Sequence, residues 1–138
     1  MKQRFYIDSS IWMDIYEDRR GYSGEPLALY GLRLLELILA KRETLIITDT
    51  LIDELSFYYS PEQLNGMLSP FHGLTEKIMA SAKQKEEAER LASERSVPRG
   101  DTLHAVISRD HNLILVTRDR HFRKLEDVSS HHTPEELI

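Results

Sequence analysis

At 138 residues the chain is long enough to bury a core, and 41% apolar residues with a mean hydropathy of −0.42 read as a soluble globular protein. It has no cysteine, which excludes disulfides, zinc-thiolate and iron–sulfur sites, and a thiol nucleophile. A net charge of −5 and a pI of about 5.7 argue against a broad phosphate-binding surface, unless some acids gather around divalent cations that reverse the local field.

The opening Met1 to Tyr6 has no apolar leader, and no stretch approaches the roughly 20 apolar residues of a membrane span. A cytoplasmic protein with no membrane partner is therefore expected. Arg4 to Asp8 reads as a short strand ending on an acid, and Ile11, Trp12, Ile15 and Tyr16 then recur at helical spacing. Gly21 to Pro26 is a loop, and Leu27 to Lys41 a long helix, apolar on almost every side. Leu45 to Thr48 predicts a buried strand. Thr48-Asp49-Thr50 starts a helix that runs to about Tyr59, with Leu51, Ile52, Leu55, Tyr58 and Tyr59 on its buried face. Thr50 and Asp53 have the spacing of a capping box. Ser60-Pro61 opens a short helical piece, which Ser69-Pro70 and Gly73 break.

Thr75 to Arg95 predicts one long charged helix, ended by Ser96 to Gly100. Asp101, in N-cap position, begins another that runs to Asp110, and Leu113 to Thr117 is the clearest strand. His121 to Leu125 predicts a brief helical turn, and Thr133-Pro134 starts a last one. Strands alternating with helices imply one domain over 1–138, with a parallel sheet and helices on its faces. In such sheets the functional crevice lies at the carboxyl ends of the strands.

That rule singles out four acids. Asp8 follows the first strand directly, and Asp119 stands two residues beyond the strand ending at Thr117. Asp101 opens the helix leading into that strand, and Glu54 lies within two turns of the start of its helix. Each alone is an ordinary turn, cap or surface acid. Glu54 differs because Asp53 takes the capping role, which leaves Glu54 at the border of the buried face. Clustered carboxylates suit Mg²⁺ or Mn²⁺, which prefer oxygen ligands, and such ions serve phosphodiester hydrolysis.

In this order and spacing, the segments Phe5-Tyr-Ile-Asp8-Ser-Ser10, Thr50-Leu-Ile-Asp-Glu54-Leu55, Gly100-Asp101-Thr-Leu-His-Ala105 and Thr117-Arg-Asp119-Arg-His-Phe122 resemble the PIN-domain family, which includes the VapC-type toxins. The resemblance covers essentially the whole chain. It implies a three-layer α/β/α sandwich around a central, mostly parallel twisted sheet. It also implies Mg²⁺- or Mn²⁺-dependent cleavage of RNA by a metal-activated water. Asp8, Glu54, Asp101 and Asp119 would be the metal-site carboxylates, with Ser9 and Thr117 in support. Members often carry Asp-Thr-Asn after the first strand, so Ser10 here stands in place of an amide. Homodimerisation is the family habit, and a toxin would have a small antitoxin partner bound across the cleft.

His104, one turn after Asp101, is either a packing histidine at the helix–sheet edge or a neighbour of the substrate. Arg118 and Arg120, with Arg99, His121, Arg123 and Lys124, form the basic concentration nearest the acids and are candidates for RNA phosphates. His131-His132 reads as an exposed tail pair, and Trp12 and Tyr16 as packing or dimer-contact residues. A haloacid-dehalogenase-type phosphatase would need a second Asp at position 10, which is Ser10, and a phospho-accepting receiver domain fits poorly around Thr48-Asp49. The alternative of a different class is a PIN fold kept as a catalytically silent binding or scaffold module.

Overall fold

A computed structural model describes residues 2–138. Four strands form one parallel sheet in the order β3-β2-β1-β4: β1 is Arg4–Ile7, β2 is Thr44–Thr48, β3 is Thr75–Ile78 and β4 is Ile114–Val116. In register, Phe5 faces Leu45 on one side of β1 and Ile114 on the other. The middle of the sheet is aliphatic and aromatic (Tyr6, Ile7, Ile46, Leu115, Val116) and wholly buried, as expected of a parallel sheet covered on both faces. Helices α1 (Ser9–Tyr16) and α2 (Leu27–Lys41) connect β1 to β2, and α3 (Asp49–Ser56) and α4 (Pro61–Leu68) connect β2 to β3. Helices α5 (Ala82–Arg95) and α6 (Arg99–His111) carry the chain back across the sheet to β4.

The strand order reverses direction at β1. Right-handed crossovers that step in opposite directions put their helices on opposite faces, so the α5–α6 pair covers the face away from the earlier helices. This is the expected α/β architecture of a parallel sheet flanked by helices. It also fixes a topological switch point between β1 and β4, where a crevice opens beyond the carboxyl ends of the two strands.

Four local expectations change. The stretch Thr75 to Arg95 is not one helix. Its first four residues form the edge strand β3, paired from Leu45–Thr75 to Thr48–Ile78, and the helix begins only at Ala82. The edge position explains the polar look, since β3 bonds one neighbour and Glu76 reaches solvent far enough to pair with Arg4 at 2.6 Å. Ser81 and Gln84 then form a capping box that stops α5 from extending backwards.

Helix α3 ends at Ser56, before Tyr59, and its cap is Thr48, whose hydroxyl accepts from the Leu51 N–H at 3.0 Å. The Thr50–Asp53 pair therefore does not cap it, and Tyr58, expected on the buried face, is 67% exposed. Similarly, α6 begins at Arg99 behind Pro98, which puts Asp101 inside the first turn instead of at the cap. Finally, His131-His132 is not a loose tail. The His132 backbone forms a parallel bridge with Val116 beside β4, and His131 Nδ1 lies 2.8 Å from Glu126.

Candidate active site

The four acids predicted from sequence line one cleft of about 280 Å³ at the switch point. Asp8 arrives there because β1 ends at Ile7 and the chain turns at once into α1, with the Asp8 N–H bonded to the Val116 carbonyl of β4 at 2.9 Å. Asp8 caps α1 by position, yet its side chain makes no capping bond and is left for the cleft. Asp101 is likewise free of capping duty in the first turn of α6. Asp119 does both jobs, because Oδ1 accepts the His121 N–H at 2.9 Å and starts the 3₁₀ turn Arg120–Leu125. Glu54 comes from the second turn of α3.

Each carboxylate has one oxygen held in place. Asp8, only 3% exposed, accepts at Oδ2 from Ser10 Oγ (2.8 Å) and Thr117 Oγ1 (2.9 Å), while Oδ1 has Ser9 Oγ at 3.5 Å and His104 Nε2 at 3.7 Å. Ser10, standing where an amide is frequent, thus still supports the acid. Thr117 also accepts the Asp119 N–H at 3.1 Å, so one hydroxyl couples two of the acids. Glu54 Oε1 meets His104 Nε2 at 2.6 Å, and Asp101 Oδ2 meets His121 Nδ1 at 3.0 Å. Among the described residues no hydrogen bond reaches Glu54 Oε2, Asp101 Oδ1 or Asp119 Oδ2.

The acids divide into two groups whose ligand atoms lie within 4.8 Å of one another: Asp8, Glu54 and His104, and Asp101, Asp119 and His121. Burial, followed by the charges of Asp8 and Asp119, pushes the Asp101 carboxyl up to about 6, against the lowering effect of His121. Burial lowers the His104 imidazole, but the bond to Glu54 and the surrounding carboxylates outweigh it, and its pKa is raised above the ordinary histidine value. Beyond burial, both shifts carry a contribution from the neighbouring carboxylates, the negative charge gathered in the cleft. All donors facing it are oxygen or imidazole nitrogen, a set that suits Mg²⁺ or Mn²⁺.

The remaining candidates fall elsewhere. His104 is fully buried, so it packs and hydrogen-bonds and does not reach a substrate. Arg118 and Arg120 line the next pocket, on the far side of Asp119. The Arg118 guanidinium is taken by Glu135 in two bonds of 2.7 Å, whereas Arg120 is exposed. Trp12 is buried, and Tyr16 stacks edge-on against Tyr59 at a centroid distance of 5.0 Å. The sequence pattern does not single out Tyr6, or Arg19 and the exposed Phe57 and Tyr58 at the cleft rim, and His121, a candidate for RNA phosphates, instead bonds the site acids Asp101 and Asp119. Strand alternation was the available signal for Tyr6, which shares a face with Asp8 two residues on. A larger, mainly apolar groove of about 570 Å³ runs between α1, α2 and α4, but it contains no comparable gathering of acids.

This arrangement of acids agrees with a match to the family model described as PIN domain over residues 5–128. The chain belongs to the PIN domain family. Solved structures share the PIN fold at low identity. VapBC2 from Rickettsia felis, bound to a DNA fragment from their promoter, is 23% identical, with 88% of this chain and 92% of that one covered at a TM-score of 0.60. A toxin-antitoxin complex from Klebsiella pneumoniae is 17% identical over 94% and 96% of the two chains at 0.58. FitAcB from Neisseria gonorrhoeae is 14% identical over 96% and 99% at 0.60. Comparison with curated proteins finds no match.

Proposed function

We propose that this PIN domain is a Mg²⁺- or Mn²⁺-dependent endoribonuclease whose site is Asp8, Glu54, Asp101 and Asp119. One observation carries the reading: four carboxylates converge at the switch point with one oxygen tied and the other unclaimed by a strong hydrogen bond. Unpaired, such a cluster is costly, and the raised Asp101 is the sign of that cost. When bound, a divalent cation supplies the positive charge that draws a phosphodiester into the cleft and favours its attack by water. The protein's part is positional. Ser10 and Thr117 fix Asp8, His104 fixes Glu54, and His121 bridges Asp101 to Asp119. Ser9 stands beside Asp8 as a weaker support.

Arg120, exposed just beyond Asp119, is the cation placed to meet a phosphate flanking the scissile one, and Arg19 at the rim, already paired with Glu17 at 3.0 Å, is a weaker one. Arg118 is a weaker candidate for that role because Glu135 already engages it. We further read the chain as the toxin of a toxin–antitoxin pair, with a small antitoxin as partner, homodimeric and cytoplasmic. The Klebsiella pneumoniae complex of the same fold supports the partner, and among the described residues no helix is long and apolar enough to cross a membrane. The test is cleavage of defined single-stranded RNAs with Mg²⁺, Mn²⁺ or chelator, beside Asp8→Asn and Asp101→Asn. Metal-dependent cutting that both variants abolish supports the reading. Full cutting by either variant, or cutting that survives the chelator, ends it.

A further inference from the structure

Glu54 differs from the other acids in how it is held, and the holding groups are buried where no substrate comes. His104 Nε2 touches Glu54 Oε1 at 2.6 Å, and His104 Nδ1 meets the hydroxyl of Tyr6. That hydroxyl in turn lies 2.6 Å from Thr48 Oγ1, which accepts the Leu51 N–H. Thr48, Tyr6 and His104 are 1%, 0% and 0% exposed, so each polar atom depends on the next for a partner. The series begins on the first turn of α3 at Leu51 and passes through β2, β1 and α6. It returns to α3 at Glu54. We propose that Thr48, Tyr6 and His104 form a buried tether that sets the position of the Glu54 carboxylate, with His104 a hydrogen-bond donor to that acid and not a ligand of the cation.

The atom inventory supports the assignment. An ionised carboxylate only accepts, so the nitrogen facing Glu54 carries a hydrogen. This holds whether the imidazole is neutral, with Tyr6 donating to Nδ1, or cationic, with Nδ1 donating to Tyr6. A protonated Nε2 has no lone pair for a metal, although it sits in a group with Asp8 and Glu54 of the size a metal site needs. The second Glu54 oxygen is confined as well. A Cβ added at Gly100 would lie 2.7 Å from Oε2, so the carboxylate passes close over the start of the helix that carries His104. A glutamate side chain with three rotatable bonds is thereby limited to a narrow range while 31% of it stays open to the cleft. Support of this kind for a metal-binding carboxylate changes affinity through another residue's position. His104 and Tyr6 are thus positioning residues.

The proposal rests on the cation reading of the cleft, and the experiment separates the two. Nitrogen-15 NMR of the full chain reads the protonation of His104 Nε2 directly, first without metal and then with Mg²⁺. Nε2 is expected to be protonated throughout. An unprotonated Nε2 in the metal-free protein, or loss of its hydrogen as Mg²⁺ is added, overturns the tether. In parallel, Mn²⁺ binding is titrated for the wild type, Tyr6→Phe, His104→Gln and His104→Ala, with melting curves to confirm folding. His104→Ala should weaken Mn²⁺ by about 10- to 100-fold. Tyr6→Phe, which touches none of the acids, should weaken it by about three- to tenfold. His104→Gln should recover most of the loss, because its amide N–H can donate to Glu54. Wild-type affinity in folded His104→Ala and Tyr6→Phe refutes the proposal. A wild type that binds no Mn²⁺ sinks the cation reading, while the NMR result still decides the tether.

Discussion

The two halves of the acidic cleft are built to different standards. Asp8, Glu54 and His104 are buried or half-buried, and their partners come from α1 (Ser10), β1 (Tyr6), α6 (His104) and the end of β4 (Thr117). Asp101 and Asp119 are half-buried, and their shared donor is a histidine whose side chain is 50% exposed. Hydroxyls from Ser10, Thr117, Tyr6 and Thr48 make the inner half rigid before anything binds. The outer half has one imidazole between two carboxylates, and there burial, with the charges of Asp8 and Asp119 added, pushes the Asp101 carboxyl up to about 6. Inner acids are positioned by the fold, whereas outer acids depend on a counter-charge.

The largest effect is expected at Asp8, in the inner half. Asp8→Asn keeps the shape and removes a charge from the inner half, so metal-dependent RNA cleavage should fall by about 100-fold or more, ~3 kcal/mol of transition-state stabilisation. The melting temperature of the metal-free protein should hold or rise, because the Asp8 charge is one of the causes that push Asp101 up. Cleavage assays and melting curves on the same preparation read both effects. Next comes Thr117→Val, which deletes the hydroxyl that donates to Asp8 and accepts from the Asp119 N–H. Mn²⁺ affinity should drop by about tenfold. An unchanged affinity would mean that Asp8 needs only Ser10.

Much of this was legible from the chain. Asp8 and Asp119 could be placed because a parallel sheet sends every strand end to one edge, and Ile7 and Val116 mark those ends. Glu54 followed from helical phase, although the capping role that set it apart from Asp53 belongs to Thr48, and Asp101 followed from its place at the start of the helix leading into the last strand. The buried support behind Glu54 was harder to see, because the Tyr6–His104 contact joins residues 98 positions apart. The capping of α3 was misread because Thr48 and Thr50 both offer a hydroxyl at a helix start, and only the extended backbone at Thr48 selects between them. Strand β3 was hidden by Glu76 and Lys77, which an edge strand tolerates and a central strand would not. His104 could be narrowed to packing or function, yet the fold makes it both: buried, and bonded to a site acid.

Charge linkage sharpens the outer half. The Asp101 carboxyl titrates at about 6 in the fold against an ordinary 3.8, so the native state holds its proton more tightly than the unfolded chain. Between those values its contribution makes the metal-free protein less stable as pH rises, and the penalty is complete above about pH 6. A cation relieves it. Mg²⁺ should therefore raise the melting temperature more near pH 7.5 than near pH 5, where a proton occupies Asp101. Equal gains at the two pH values would remove Asp101 from the cation site. His121→Ala belongs to the same half, and with its imidazole half in solvent the cost should be small, about two- to threefold in Mn²⁺ affinity. A loss as large as that of Thr117→Val would erase the difference between the halves.

The smallest effects separate two neighbouring arginines. Arg118 holds Glu135 in paired bonds and lies 3.7 Å from Asp14, so it fastens the turn at Pro134–Glu136 to the edge of the site. Its guanidinium is also the main reason the Glu135 carboxyl sits below its ordinary range. That depression contributes stability at neutral pH and loses it as acid protonates Glu135. Arg118→Ala should cost ~0.5–1 kcal/mol, seen as a modest fall in melting temperature that shrinks at low pH. Arg120 has no such partner among the described residues and stands exposed beside Asp119. Arg120→Ala should leave the melt alone and raise KM for RNA about two- to threefold, with a shallower salt dependence. If Arg118→Ala instead raises KM and spares the melt, Glu135 gives way to phosphate when RNA binds, and both arginines belong to the substrate.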